Sequence, residues 1–379
     1  TTEIYTLSLH DALPIYGENI GYLFQYIEHQ PLEFYQTLIA NLTQRTDDES
    51  IWLLGVLAEF PDESIAETAI QALGYRKSPL AYEILDNLIT PQISKKNVRI
   101  KAMNRLAQTG VSKTNHRLLI PHKSYLSWID GNGNSILLVS RRTGRGRLFM
   151  VTFMLNEESG IQDCTVWNNI STFEMDSLIK GLEMQVGLKQ IDYTLGIKMV
   201  EDSLWTTIKN KKLISPTFLV ARRIFGSQKL TPRPYEVNLE NIGIQYVYKK
   251  ADALLKESDR LLSEVPFKEW VIEHPRCYEF VKSRPSLATS KKIRKDILAQ
   301  FIKSLMEEKR ENWRHRFLMC AEFLQRTSPR TYRQQIEICL AIYLSIEKGT
   351  PLHSIPFMLK LAENTLLHVQ EKVFEKMPE

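Results

Sequence analysis

Cysteine is scarce in this 379-residue chain: Cys164, Cys277, Cys320 and Cys339 lie far apart, with no Cys-x-x-Cys spacing. That fits a reducing compartment better than a disulfide framework, so a cytoplasmic protein is expected. Long hydrophobic runs are also missing. Apolar stretches such as Ile136 to Val139 and Leu148 to Leu155 stop well short of the ~20 residues that cross a bilayer, so no membrane association is expected. Beyond residue 15 the histidines His29, His116, His122, His274, His315, His353 and His368 are scattered, with no His-x-x-x-His pair and no His-Glu-x-x-His. This pattern offers no metal site, and no cofactor is expected. There is no Gly-x-Ser-x-Gly nucleophile elbow, and Cys164, inside a predicted strand, reads as a small buried hydrophobe. Two Gly-x-Gly elements, at Gly131/Gly133 and Gly144/Gly146, lie between predicted strands rather than between a strand and a helix. They read as hairpin turns and not as phosphate loops.

What is present is an ordinary soluble composition, 43% hydrophobic and 25% charged, with 49 basic against 44 acidic residues. The first fifteen residues, Thr1 to Ile15, resemble the in-frame translation of a sequencing-library adapter. The resemblance implies a chain from an environmental or draft assembly whose natural start lies elsewhere, so that any export signal is unread. Setting aside Glu3 and Asp11 raises the net charge from +5 to about +7.

From Gly17 to about Gly110 apolar residues recur three and four apart. Ile20, Leu23, Phe24 and Ile27 form one stripe, Phe34, Leu38, Ile39 and Leu42 the next, then Ile51, Leu54, Leu57 and Ala58, then Ile65, Ala66, Ala69, Ile70 and Leu73. Each predicts a short helix. Ser78 before Pro79 reads as a helix start, and Gly74 and Gly110 as left-handed turns after helices. Ile65, Ala69 and Leu73 align with Val98, Ala102 and Leu106 at an offset of 33. Over residues 31–118 this pairing resembles the short HEAT-like repeats of bacterial proteins, a type shared with phycobilisome lyases. It implies an α-solenoid over 16–120, a scaffold with an extended groove. The link to lyases makes tetrapyrrole handling a third functional possibility.

After His122 the pattern becomes that of strands: 125–130, 135–142, 147–155 and 160–167, separated by Asp130–Asn134 and by Thr143–Gly146. A four-stranded antiparallel β-meander over 121–170 is expected. The near-continuous apolar run of its third strand calls for helices on both faces. Arg141, Arg142, Arg145 and Arg147 cluster around the second turn and are polyanion-binding candidates. Glu157, Glu158 and Asp163 lie in or beside the last turn, without a placed general acid or base. A helix array followed by Tyr125 to Gly133 (YLSWIDGNG) and Leu155 to Cys164 (LNEESGIQDC) resembles a group of uncharacterised bacterial HEAT-repeat proteins. That resemblance implies a helical scaffold with an embedded β-module and brings no catalytic residues.

Residues 171–379 read as a C-terminal helical region. Ser215-Pro216 and Gly226 bracket one helix, Tyr235 to Leu262 make one or two longer ones, and Pro266 opens another containing Trp270. Trp205, Trp270, Trp313, Phe317 and Phe323 are expected in cores. The segment 282–333 holds 14 basic and 5 acidic residues, a net of +9. Lys291, Lys292, Arg294 and Lys295 are its polyanion-binding candidates. Glu28-His29 and Glu273-His274 resemble the dipeptides of HEAT-like di-iron hydroxylases only with the order reversed, which disfavours that chemistry. The fold expected is therefore mainly α with a small antiparallel β-meander. The function expected is a non-catalytic helical-repeat scaffold that binds another protein. The alternative is a nucleic-acid-binding helical-repeat protein, similar in architecture to HEAT-like DNA glycosylases, using 282–333 and the 141–147 hairpin.

Overall fold

The computed structural model describes residues 30–89, 93–112, 120–144, 146–226, 228–283 and 291–374. The adapter-like segment and the first apolar stripe lie outside them. Among the described residues five helices come first: α1 (Leu32–Gln44), α2 (Asp48–Ala58), α3 (Glu63–Leu73), α4 (Pro79–Asp86) and α5 (Ile93–Gln108). Their starts follow side-chain caps: Asp47 accepts from Ser50 N, Asp62 from Ile65 N, and Ser78 from Leu80 N ahead of Pro79. Contacts run from α1 to α3 to α5 in one series and from α2 to α4 in another, around a core holding Tyr35, Leu54, Leu57, Ile70 and Leu85. Ile65, Ala69 and Leu73 on α3 and Ala102 and Leu106 on α5 are all buried in that core. Gly110 takes the expected left-handed backbone at φ +81, but Gly74 stays right-handed at φ −65. Close packing explains Gly74, since an added Cβ would lie 2.8 Å from both the Cα and the Cβ of Ala102.

Arg76 closes this region. It is buried, and its guanidinium donates to Leu42 O (2.9 Å), Thr43 O (3.3 Å), Asp47 O (3.2 Å) and Ser50 Oγ (3.0 Å). The end of α1 leaves carbonyls without helical partners, and Arg76 satisfies them while fixing the α1–α2 connection.

The sheet is antiparallel and five-stranded, in the order β4-β3-β2-β1-β5, with β1 Ile120–Leu126, β2 Asn134–Gly144, β3 Arg147–Asn156, β4 Gly160–Ser171 and β5 Lys189–Ile191. The expected four-stranded meander is thus corrected. β5 is three residues long, too short to show periodicity, and it returns after a helix to pair with β1. Alternation divides the sheet's two faces. Leu137, Val139, Val151, Phe153 and Cys164 pack toward α7 (Tyr193–Lys209) and α8 (Phe218–Ala221). Leu138, Leu148 and Met150 pack against Met175 and Ile179 of α6 (Thr172–Val186), which starts with a Ser171/Glu174 capping box. Helices cover both faces, as the apolar third strand requires.

Residues from Ile242 to Val369 share one core. Around it lie α9 (Ala251–Lys256), α10 (Pro275–Ser283), α11 (Lys291–Phe301), α12 (Arg310–Thr327), α13 (Arg333–Glu347) and α14 (Pro356–Phe374). Phe267, Trp270, Phe317 and Phe357 pack in its centre, largely edge to face. The long helices expected over Tyr235–Leu262 are instead turns and 3-10 segments around the short α9, and Pro266 opens turns, not a helix. Apolar spacing in this stretch reflects burial of an irregular chain, with Ile242, Ile244, Val247 and Leu261 all in the core. Trp205 is only half-buried, beneath Lys209, while the other expected core aromatics are buried. Among the described residues no helix is long and apolar enough to cross a membrane.

Arg76→Met should cost about 3 kcal/mol, because it removes four hydrogen bonds from a charged donor and leaves Thr43 O unpaired, while Leu42 O keeps Arg45 N and Asp47 O keeps Ser50 Oγ; urea unfolding measures it. Burial opposes the Asp47 carboxylate, but hydrogen bonds from Arg45 Nε and Ser50 N outweigh it and hold its pKa at about 2. The folded value lies below the unfolded one, so this stability is complete above about pH 4 and is lost as pH falls toward 2. The margin of wild type over Asp47→Asn in urea unfolding should therefore shrink between pH 4 and pH 2.

Candidate functional site

Of the eight basic candidates, the six whose side chains are described do not converge. Arg141 and Arg142 are neighbours on β2, so alternation sends them to opposite faces. Arg141 is buried, hydrogen-bonded through Nη2 to Tyr193 Oη at 2.8 Å, and serves the packing of α7. Arg142 is exposed beside His122. Arg147 is exposed, near Glu174 at 3.8 Å. Arg145 lies outside the described residues, as does the side chain of Lys291. On α11, Lys292 and Lys295 are exposed, whereas Arg294 pairs with Glu363 of α14.

Six further cations of the basic segment are paired in the same way. Lys309 pairs with Glu158, Arg310 with Glu307, Arg314 with Glu311, Arg316 with Glu157, Arg326 with Glu322 and Arg333 with Glu337. Several partners lie on other elements, outside the window in which the charge is counted. The local excess in sequence is therefore not a matching excess in space. Exposed Lys292, Lys295 and Lys303 follow α11 and its continuation, while exposed Lys282 lies on α10 and Arg330 after α12.

Arg316 is the most constrained of these cations. Its side chain is 3% exposed, pairs with Glu157 at 12% exposure, and also donates to Gly131 O. Its Cζ stacks 4.0 Å above the Trp313 ring. Burial opposes its charge, but Glu157 outweighs that and raises the guanidinium pKa. Both β-turns thus dock on α12. Gly131 is needed there, because an added Cβ would lie 2.4 Å from Val271 O. Asn132 Oδ1 accepts from Glu273 N at 2.8 Å, and Lys309 Nζ donates to Glu158 at 2.7 Å. Beside this junction Trp128 packs on Phe323 (4.9 Å between centroids) and Tyr332 (5.7 Å).

Between the turns and the helices lies a cleft of about 350 Å³. Ile272, Leu305, Met306 and Trp313 form its apolar wall, and Asn132, Glu158, Glu273, His274, Arg276, Glu308 and Lys309 its polar lining. The helix that walls it is irregular: α11 runs through a π turn at Ile302–Met306 and a 3-10 turn at Glu307–Lys309 before α12 resumes. Charges around the cleft are paired, Arg276 with Glu308 and Glu273 with Lys372, and the Lys372 hydrogen bond holds Glu273 below the usual carboxylate range. Cys277 and Cys320 are buried, which pushes their thiols up to about 11 and about 12 and makes them poor nucleophiles. Cys164 is likewise buried and raised by desolvation, with the Asp163 charge adding to it. Among the described residues no cluster of three His, Cys, Asp or Glu side chains can hold a metal ion.

Sequence reading identified Glu157-Glu158 and Glu273-His274 but not their meeting, since more than a hundred residues separate them. No spacing could have joined them, nor flagged Trp313 as a cleft wall.

Residues 241–370 match the family model of the Y4lR C-terminal helical domain. The match coincides with the core that spans Ile242 to Val369. No curated protein and no solved structure matches the chain.

Removing one partner of the Glu157–Arg316 pair leaves a buried charge uncompensated, at a typical cost of about 3–5 kcal/mol. Arg316→Met and Glu157→Gln should each approach that loss in urea unfolding. The double variant should lose clearly less than the sum of the two.

Proposed function

We propose that the protein is a non-catalytic helical-repeat scaffold, with a HEAT-like solenoid over residues 31–118, that binds another protein. The observation that carries this reading is the outer face of the β-module. On α6, Phe173 is 78% and Met184 85% exposed, and on the same side of the sheet Met154 is 47% and Trp167 39% exposed. Large apolar side chains left in water cost free energy unless a partner covers them, and such surfaces mark interaction sites. The module that carries them is anchored on both sides by buried ion pairs, Glu59–Arg222 and Glu157–Arg316. A firm mount for an apolar face suits a platform. The four cysteines are free and buried, which suits a reducing, cytoplasmic setting.

Nucleic-acid binding is the second reading, and exposed Lys292, Lys295 and Lys303 along α11 and its π continuation favour it. Fluorescence anisotropy with short DNA and RNA separates the two. The scaffold reading expects no binding that persists at near-physiological salt; tight binding that weakens steeply with salt would overturn it. Affinity capture should in addition recover a partner with the wild-type protein that the Phe173→Ser/Met184→Ser variant loses.

A further inference from the structure

We propose that the cleft between the β-turns and the C-terminal helices is a peptide-binding site. It takes an uncharged segment, one apolar side chain entering against Leu305, Met306 and Trp313 while the flanking amides meet the polar rim. This goes beyond the partner-platform reading, because the cleft is lined by none of the residues of the apolar face on the β-module.

Size is the first reason. A cleft of about 350 Å³ lies at the small end of ligand sites, and it suits one side chain with its backbone better than a folded surface. Charge is the second. The rim pairs Arg276 with Glu308 and Lys309 with Glu158, so a ligand with net charge of either sign would have to break an internal ion pair. Amide groups, neutral and able both to donate and to accept, can bond to those side chains without separating them.

Backbone irregularity is the third reason. A regular helix would run from α11 into α12, but the π turn at Ile302–Met306 and the 3-10 turn that follows interrupt it where Leu305, Met306, Glu308 and Lys309 line the cleft. Single π turns inside helices occur frequently at functional sites. A fourth observation concerns Trp313 itself. It is 3% exposed, and its buried Nε1 has no hydrogen-bond partner within the protein. Buried polar groups are normally satisfied, so an unpaired donor calls for an explanation. A peptide carbonyl seated in the cleft, with a small rotation of the indole, supplies the acceptor. The Glu157–Arg316 pair holds the two walls together before any ligand arrives, which lowers the ordering cost of binding.

The test uses the full chain labelled with 5-fluorotryptophan and read by fluorine NMR. The chain has 6 tryptophans, and the Trp313 resonance is assigned by its loss in Trp313→Phe. The probes are N-acetyl-L-leucinamide, free L-leucine and inorganic phosphate. The expected result is a saturable shift of Trp313 with the capped leucine and none with the other two. His274→Tyr, which narrows the mouth, should weaken the response at least tenfold while the protein stays folded, with only the modest loss of stability expected from removing the His274 Nδ1 acceptor of Arg276 N, and Arg276→Tyr serves as a second mouth variant. An unmoved Trp313 at the probe's solubility limit overturns the proposal. So does an equal response to leucine or phosphate, or a full response in a folded mouth variant. Tight DNA or RNA binding would overturn the scaffold reading by a different measurement, so the two failures are read separately.

Discussion

Burial of Arg316 against Glu157 is the constraint around which the molecule's second half is organised. A guanidinium taken out of water is tolerable only where a carboxylate and further acceptors meet it. Glu157, Gly131 O and the Trp313 ring together provide that environment. Meeting the requirement brings both β-turns onto α12, and Trp128 and the docking of Gly131 on Val271 then follow as packing beside a fixed point.

The other junction repeats the device. Arg222, just after α8, pairs with Glu59 at 3.5 Å and donates to Asn87 O at 2.8 Å, capping the end of α4. Burial pushes the Glu59 carboxyl up while Arg222 and the Ile89 amide pull it back. Leu219 of α8 enters the core of α1–α5 beside this pair, as Trp128 accompanies the other. Each junction thus combines an apolar wedge with a buried arginine. The wedge supplies non-directional attraction, and the arginine fixes orientation by hydrogen bonds of defined geometry.

Much of the fold was legible, for reasons that particular elements make plain. Helices α1 to α5 were readable because their stripes and caps are local: Ser78-Pro79 starts α4 as its chemistry demands. The turns around Gly131 and Gly133 were readable because Asp130 organises them through Asn132 N and Asn134 N, two and four residues on. β5 was not, since its three residues derive their state from β1. Nor was Tyr235–Leu262, where burial spacing mimics a helix that the backbone does not form.

The candidate site divides along the same line. By itself the sequence determined the amount and kind of charge in 282–333, the scarcity of cysteine, and the helical and strand periodicities, because these are properties of composition or of neighbours within a few turns. Tertiary structure alone decided where that charge went. Arg316 and Lys309 spend theirs on Glu157 and Glu158, which stand more than 150 residues earlier. Arg294 turns to Glu363. Electrostatic pairing acts through space and not along the chain, so a basic run becomes an interior lock or an exposed surface only when its partners are brought to it.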